Sequence, residues 1–393
     1  MAAMRFIQLA DVHLDSRLGG ALNLDEEKKA VLRQDLRTAL TRACDLAVHH
    51  GADVMLIPGD LFDHESLGPD TAAFLANTFE GISPVRVLIA PGNHDSLRLG
   101  NPYLPGQGRG WPGNVHIFTS PEVETVTLPE LGCAVTGIAH THRGITDRLL
   151  AQEVERGTAE TSILLLHGSR DGYRPSDKES VIPFSDDELL AQGFTYTAIG
   201  HYHSFCRIED AQRRVRGAYS GCLQGRGLDE AGVKYALLGE IDGDGRVTLE
   251  EIEVAPRRVV SATVDVTGAG DTAAVSERIS AALARSGARE CDIISVALCG
   301  CAPVGLRLDT SELESSHRYF HVRISESGVE PDYDLEALRA ESAAESLKSA
   351  FARRVFDMQQ QTTDPEERRA LRHATYYGLY ALDGRKLEPR DED

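Results

Sequence analysis

Short, mostly apolar runs that stop at glycine, proline, aspartate or histidine recur through the first half of the chain. Residues 85–90 lead into Pro91-Gly92-Asn93-His94-Asp95, residues 6–10 into Asp11-Val12-His13, and residues 54–58 into Gly59-Asp60-Leu61-Phe62-Asp63. Further on, residues 163–166 lead into His167-Gly168, and residues 195–199 into Gly200-His201-Tyr202-His203. Runs of this length bounded by turn residues predict strands buried on both faces, as in a parallel sheet. The polar knots then sit just past the strands' carboxyl ends, the edge where open α/β folds gather ligands.

Between the runs the period changes. Val31, Leu32, Leu36, Ala39, Leu40, Ala43, Leu46 and Ala47 recur at helical spacing, which predicts a helix over 25–50 ended by Gly51. A second helix is expected near 69–79, giving two βαβ units. Residues 101–113, rich in glycine and proline, predict an irregular loop at the rim of a cleft. Shorter strands are expected at 115–118, 123–128 and 134–138, then a helix near 147–155, the strand ending at His167, a loop over 168–183 and a short helix at 186–192. Closing strands are expected at 215–223, 234–241 and 247–254.

The pattern restarts near Pro256-Arg257-Arg258. Strands at 261–266, 293–298 and 319–324 with a helix over 271–286 predict a small α/β module. From Asp334 the chain reads as helical: Leu335, Leu338, Leu347, Phe351, Val355 and Met358 form one stripe, and Asp364-Pro365-Glu366-Glu367 supplies an N-cap, a first-turn proline and acidic first-turn residues. The expected organisation is a main domain over 1–256, a smaller α/β domain over 257–332 and a helical region over 333–393. At 393 residues, with roughly 150 per domain as a prior, two or three domains fit.

Composition narrows the setting. No run of eighteen or more apolar residues occurs, and no basic region followed by an apolar segment opens the chain, so a cytoplasmic protein without a membrane span is expected. The seven cysteines are an odd number without zinc-type spacing and read as reduced thiols. Lys plus Arg total 41 against 61 Asp plus Glu, a net charge of −20, which argues against gripping long nucleic acid by charge alone. A phosphate substrate must be held locally, either by bound metals or by Arg207, Arg213, Arg214, Arg216 and Arg226. These arginines read equally well as a solvated hairpin face paired with Glu209 and Asp210.

Aspartate, asparagine and histidine donors from five strand ends can surround two divalent metals if one carboxylate bridges them. Asp60, on a tight glycine turn in the middle of the set, is the expected bridge. Asp11, His13 and His203 would complete one shell, and Asn93, His167 and His201 the other. Mixed imidazole and carboxylate ligation favours manganese, iron or zinc over magnesium or calcium. His94 is left to face the leaving group as a proton donor or charge stabiliser, with Asp95 expected to hold its tautomer. His140 and His142 resemble a ligand pair but lack a preceding glycine and are read as an ordinary loop.

Asp11-x-His13, Gly59-Asp60-x-x-Asp63, Gly92-Asn93-His94-Asp95, His167 and Gly200-His201-x-His203 together resemble the calcineurin-like metallophosphoesterase superfamily, in order, over the first two-thirds of the chain. The stretches 9–15 and 59–63 resemble bacterial DNA-repair exonucleases of the SbcD and YhaO type, and Tyr219 to Arg226 with Glu230-Ala231-Gly232 is similar to the YhaO branch. The resemblance implies a β-sandwich of two packed sheets flanked by helices, followed by an α/β capping domain and a helical C-terminal tail. It implies a bimetal site usually filled by manganese, with the ligands named above and His94 in the catalytic histidine slot. It also implies phosphodiester cleavage in DNA repair and a C-terminal region that docks on a large coiled-coil ATPase; a homodimer is a further partner expectation. Some nucleases of this group carry a histidine where Asp63 stands, and here His64 follows instead. Three readings stay open: a metal-dependent DNA nuclease, a small-molecule phosphodiesterase or phosphatase on the same site, and a scaffold subunit for the ATPase.

Overall fold

The computed structural model describes residues 3–385 apart from 19–21, 69, 107–109, 121, 174–178 and 341–345. It contains two compact units, residues 1–259 and 260–393.

In the first unit, strand β1 (Met4–Gln8) is followed by helix α1 (Glu26–His49), β2 (Val54–Ile57), α2 (Thr71–Glu80), β3 (Arg86–Ile89) and β4 (Val115–Ile117). The side chain of Asp25 caps α1 by accepting from the Lys28 amide, and Glu26 and Glu27 occupy the positive first turn. β1 to β4 pair in parallel in sequence order. The chain then forms β5 (Glu124–Leu128), β6 (Cys133–Ile138), β7 (Thr161–His167), α3 (Asp186–Ala191), β8 (Tyr196–Gly200), β9 (Cys206–Glu209), β10 (Val215–Tyr219), β11 (Tyr235–Ile241) and β12 (Val247–Glu253). Two six-stranded sheets result, in the orders β12-β11-β1-β2-β3-β4 and β5-β6-β7-β8-β10-β9.

Alternation along the strands explains why both faces are apolar. Phe6, Val54, Leu56 and Leu88 of the first sheet meet Val135, Ile163, Leu165, Tyr196 and Ala198 of the second in one buried cluster. Their neighbours Ile7, Met55, Ile57, Val87 and Ile89 point the other way and pack on Leu36, Ala39, Leu40 and Ala43 of α1 and on Leu75 and Phe79 of α2. The far face of the second sheet, through Leu164, Leu166 and Ile199, is covered by Leu150, Val154 and Leu189. Phe6 locks the sheets together: its ring lies 5.0 Å from that of Tyr196 and occupies the space over Gly239 where a Cβ would collide. Truncation of such a ring to alanine costs about 3–5 kcal/mol. Gln8, fully buried between the sheets, donates to Ala218 O at 2.8 Å and accepts from Tyr196 Oη at 2.5 Å, so its polar side chain is satisfied across the sandwich.

The expected helix near 147–155 does not form; only a single 3-10 turn occurs, at Leu149–Ala151. The Gln192 side chain takes the backbone groups that a helix would use, accepting from Val154 N at 2.8 Å and donating to Leu150 O and Gln152 O at 2.8 and 3.0 Å.

The unit boundary falls one residue into β13 (Val259–Asp265), and the second unit continues with α4 (Thr272–Ser286), β14 (Ile293–Ala302), α5 (Thr310–Ser316), β15 (His321–Pro331), α6 (Leu335–Ala340), α7 (Leu347–Gln361) and α8 (Pro365–Leu382). Its three strands form a sheet in the order β13-β14-β15, on which α4 packs through Val275, Ile279 and Leu283. Asp364 caps α8 by accepting from the Glu366 amide. The Phe351 ring of α7 rests on Gly378 of α8, and Glu330 of β15 receives both Arg372 at 2.6 Å and the Tyr376 hydroxyl at 2.8 Å. The architecture is the expected one: a helix-flanked β-sandwich, a smaller α/β module and a helical C-terminal region. Parts of that helical region, 341–345 and 386–393, lie outside the described residues. No helix among the described residues is long and apolar enough to cross a membrane.

Candidate metal centre

The five polar knots meet at the carboxyl ends of β1, β2, β3, β7 and β8. Their approach requires residues without side chains: a Cβ on Gly59 or Gly92 would press on the other glycine's loop and on His167, and one on Gly200 would strike Pro58 O. The glycines of the Gly-Asp, Gly-Asn and Gly-His pairs are therefore packing requirements. Asp11, His13 and Asp60 have φ of 52°, 49° and 53°, and His201 has 110°, conformations that cost about 1–3 kcal/mol each and that cluster at functional sites. Backbone bonds from Asp11 N to Gly59 O (3.2 Å), His13 N to Asp60 O (3.0 Å) and Leu14 N to Leu61 O (3.0 Å) hold the first two knots in this strained form.

Two groups of donors face each other across Asp60. In the first, Nε2 of His13 lies 3.3 Å from Nε2 of His203, and Oδ1 of Asp11 lies 3.8 Å from the latter. The opposite ring nitrogens are both engaged by carboxylates, His13 Nδ1 donating to Asp63 at 2.6 Å and His203 Nδ1 to Glu230 at 2.5 Å. That fixes the protons on Nδ1 and aims two Nε2 lone pairs at each other, an arrangement that repels unless a cation sits between them. In the second group, His167 donates Nδ1–H to Pro58 O at 2.9 Å and turns Nε2 to Asn93 Oδ1 (2.9 Å) and Asp60 Oδ2 (3.2 Å). Asp60 Oδ2 is also 3.7 Å from His13 Nε2, so one carboxylate oxygen borders both groups. His201 stands beside the second group with its ring 5.2 Å from that of His167, and its Nε2 donates to Glu179 O at 2.9 Å.

Asp11, His13, Asp60, Asn93, His167 and His201 are all at most 3% exposed. Burying this many acceptors is costly without positive charge among them. The titration behaviour carries the same message. Burial, reinforced by the charge of Arg226, lowers His13 to about 4, keeping it neutral as a ligand must be. For His167, burial alone would depress the imidazole, but the Asp60 carboxylate raises it to about 9, a proton serving there where a cation would. Asp60 itself, despite burial, is held well below the ordinary carboxylate range by His167, His94 and His13. The donor set thus fits two divalent cations, with imidazole and carboxylate together suiting a transition metal.

His94 and Asp95 separate in the structure, against the sequence expectation. Asp95 is fully buried and accepts from the amides of Gly92 (2.6 Å), Leu61 (2.9 Å) and Asp60 (3.1 Å) and from the Tyr103 hydroxyl (2.9 Å). Folded back on its own turn, it pins the Asp60 and Asn93 loops together instead of touching the His94 ring. Asp63 stands behind that ring instead, its Oδ1 serving His13 Nδ1 and lying 3.2 Å from His94 Nδ1. Burial would lower His94, but Asp63 and then Asp60 raise it above the ordinary histidine value, which favours the proton-donating form.

The arginine cluster divides. Arg213 pairs with Glu209 and both Arg214 and Arg216 with Asp210 on the β9–β10 hairpin, while Arg207 reaches Glu251, the solvated-face arrangement. Of the five, Arg226 belongs to the centre, donating to Glu230 Oε1 at 3.0 Å behind His203. Glu230 also accepts from the Arg226 amide at 2.7 Å. His140 is buried and donates Nε2–H to His167 O at 2.8 Å, supporting that loop, whereas His142 is exposed. Asp63, Glu230, Arg226 and Tyr103 are the contributors whose roles local patterning missed. The four-residue step from Arg226 to Glu230 within a conspicuous glycine-rich stretch is the signal that could have found the pair.

The calcineurin-like phosphoesterase family model matches residues 4–205. The chain is 30% identical over 309 residues to the uncharacterized metallophosphoesterase YhaO of Bacillus subtilis (strain 168), covering 76% of this chain and 72% of that one. It is 24% identical over 209 residues to the DNA double-strand break repair protein Mre11 of Saccharolobus solfataricus, covering 52% of this chain and 51% of that one. A solved dimetal phosphatase from Danio rerio aligns with 64% of this chain and 96% of its own at 13% identity and a TM-score of 0.38. With a ligand-rich centre at the strand ends and a family match across most of the sandwich, the chain belongs to the calcineurin-like phosphoesterase family.

Proposed function

We propose that the centre binds two divalent cations, most suitably manganese, and that the protein is a nuclease hydrolysing phosphodiester bonds in DNA. Asp11, His13 and His203 would hold one ion, Asn93, His167 and His201 the other, with Asp60 shared. The observation that carries this reading is Asp60 Oδ2, 3.7 Å from His13 Nε2 and 3.2 Å from His167 Nε2. Ions held there would supply Lewis acidity toward a phosphoryl group and neutralise its charge. The remaining work falls to the chain. Asp63 orients His94 and keeps it protonated, so that Nε2 can hand its proton to the departing oxygen. Asp95 and Tyr103 keep the Asp60 and Asn93 loops in register. DNA as substrate is supported by the repair protein among the relatives. On α7, Leu347 and Met358 stay exposed and offer the expected coiled-coil ATPase an apolar contact.

The test is incubation of the purified protein with manganese and end-labelled single- and double-stranded DNA, beside an aryl phosphodiester and an aryl phosphomonoester. Degradation of DNA that disappears in Asp60→Ala supports the nuclease. Turnover of the small esters alone would overturn the DNA reading and leave a small-substrate phosphoesterase.

A further inference from the structure

Three loops converge beside His94: the 3-10 turn His64–Ser66, residues 94–98 and residues 139–143. Backbone bonds from His64 N to His94 O (3.1 Å), Leu97 N to His140 O (2.9 Å) and His140 N to Pro91 O (3.0 Å) join them. At the junction two guanidinium groups share one carboxylate. Nη1 of Arg143 lies 3.3 Å from Glu65 Oε1, and Nη1 of Arg98 lies 3.9 Å from the same atom, too far for a hydrogen bond. Arg98 Nε and His64 Nδ1 are buried and have no hydrogen-bond partner among the described residues. The junction therefore sets two guanidinium groups against one carboxylate and leaves the Arg98 Nε donor unused, on a chain whose net charge is −20. On the hairpin, Arg214 and Arg216 both reach their shared Asp210 at 2.8 and 2.9 Å, whereas Arg98 stops 3.9 Å from its carboxylate. The bond from His64 N to His94 O sets this junction against His94, the side of the site where the proposed mechanism has the leaving group depart.

We infer that Arg98 and Arg143 form a subsite for the phosphate next to the scissile one, on the strand that leaves. This rests on the nuclease reading and deepens it. A phosphomonoester or an aryl phosphodiester has no second phosphate to place there, whereas a polynucleotide always does, so the pair selects polynucleotides. Guanidinium groups suit such a subsite because they grip phosphate oxygens with two parallel donors.

Two measurements test it. Anisotropy of a fluorescein-labelled single-stranded oligonucleotide is titrated with metal-free protein between 25 and 200 mM KCl, for wild type, the Arg98→Ala/Arg143→Ala double variant, the corresponding double lysine variant and Arg213→Ala as a charge control. Two lost phosphate contacts should weaken binding about tenfold at low salt and reduce the log–log salt slope by about 1.4. The lysine variant should recover most of the slope, and Arg213→Ala should bind like wild type. In manganese, KM for the oligonucleotide should rise about tenfold in the double alanine variant, and its preference for the oligonucleotide over an aryl phosphodiester should fall with it. If wild type cuts DNA but the double variant keeps its slope and KM, or Arg213→Ala loses as much, the subsite is wrong while the nuclease stands. If wild type turns over only the aryl ester and does not bind the oligonucleotide, both fall.

Discussion

Glu230 offers the most direct check on how the centre is built. Its carboxylate accepts from His203 Nδ1 at 2.5 Å and from Arg226 Nη2 at 3.0 Å, with both partners largely buried. Burial would raise its pKa, but Arg226 and His203 hold it well below the ordinary range, so it is a charge in the folded protein. Glu230→Ala strands the Arg226 guanidinium and frees the His203 ring. Removing one partner of a buried pair costs about 3–5 kcal/mol. For a unit the size of residues 1–259 each kcal/mol is about 2–4 °C, so melting should fall by roughly 6–20 °C. Calorimetric titration with manganese should show one of two sites weakened about 10–100-fold, the usual effect of losing the group behind a ligating histidine. Arg226→Met/Glu230→Met, which removes both charges and keeps apolar volume, should recover at least half of the lost melting temperature while leaving the metal defect. A Glu230→Ala protein that melts within about 1 °C of wild type and binds manganese normally would refute the role given to this carboxylate.

Asp60→Ala should lose bound metal and activity together, measured by elemental analysis and phosphodiester turnover, because one oxygen borders both donor groups. His94→Ala should retain metal and lose about 10²–10⁴-fold in kcat, the usual size of a general acid's contribution; full activity would remove it from the mechanism. Asp63→Asn tests the pH dependence. Asp63 raises the His94 pKa, and the acid must be protonated, so activity falls as pH rises through that pKa. Removing the charge should move that alkaline limb of kcat to lower pH in a rate profile. Tyr103→Phe deletes a buried donor to Asp95 and should cost about 1.5–3 kcal/mol in denaturant unfolding, as hydrogen bonds to charged groups do.

The helix over α1, the strands that precede each knot and the capped α8 could be read directly, since each rests on a local period or an end signal. So could the polar knots at the strand ends. Aspartate, asparagine and histidine at successive strand ends seldom coincide without a ligand to hold, and parallel strands necessarily bring their carboxyl ends to one edge. The helix expected near 147–155 failed because its backbone partner, the Gln192 side chain, lies some forty residues away at the C-cap of α3. Asp95 failed as a partner of His94 for a related reason. Adjacency along the chain says nothing about which way two neighbouring side chains diverge, and the amides of two converging loops offered Asp95 more hydrogen bonds than one imidazole could.

What the sequence determined by itself was which aspartate, asparagine and histidine residues stand at the strand ends and the order in which the fold presents them, because periodicity and turn chemistry act over a few residues. What only the tertiary structure decided was which carboxylate stands behind which histidine: Asp63 behind His13 and His94, and Glu230, braced by Arg226, behind His203. Those pairings join residues up to fifty positions apart, and they are set by how closely glycine-lined loops can approach, a quantity that exists only once the two sheets have packed.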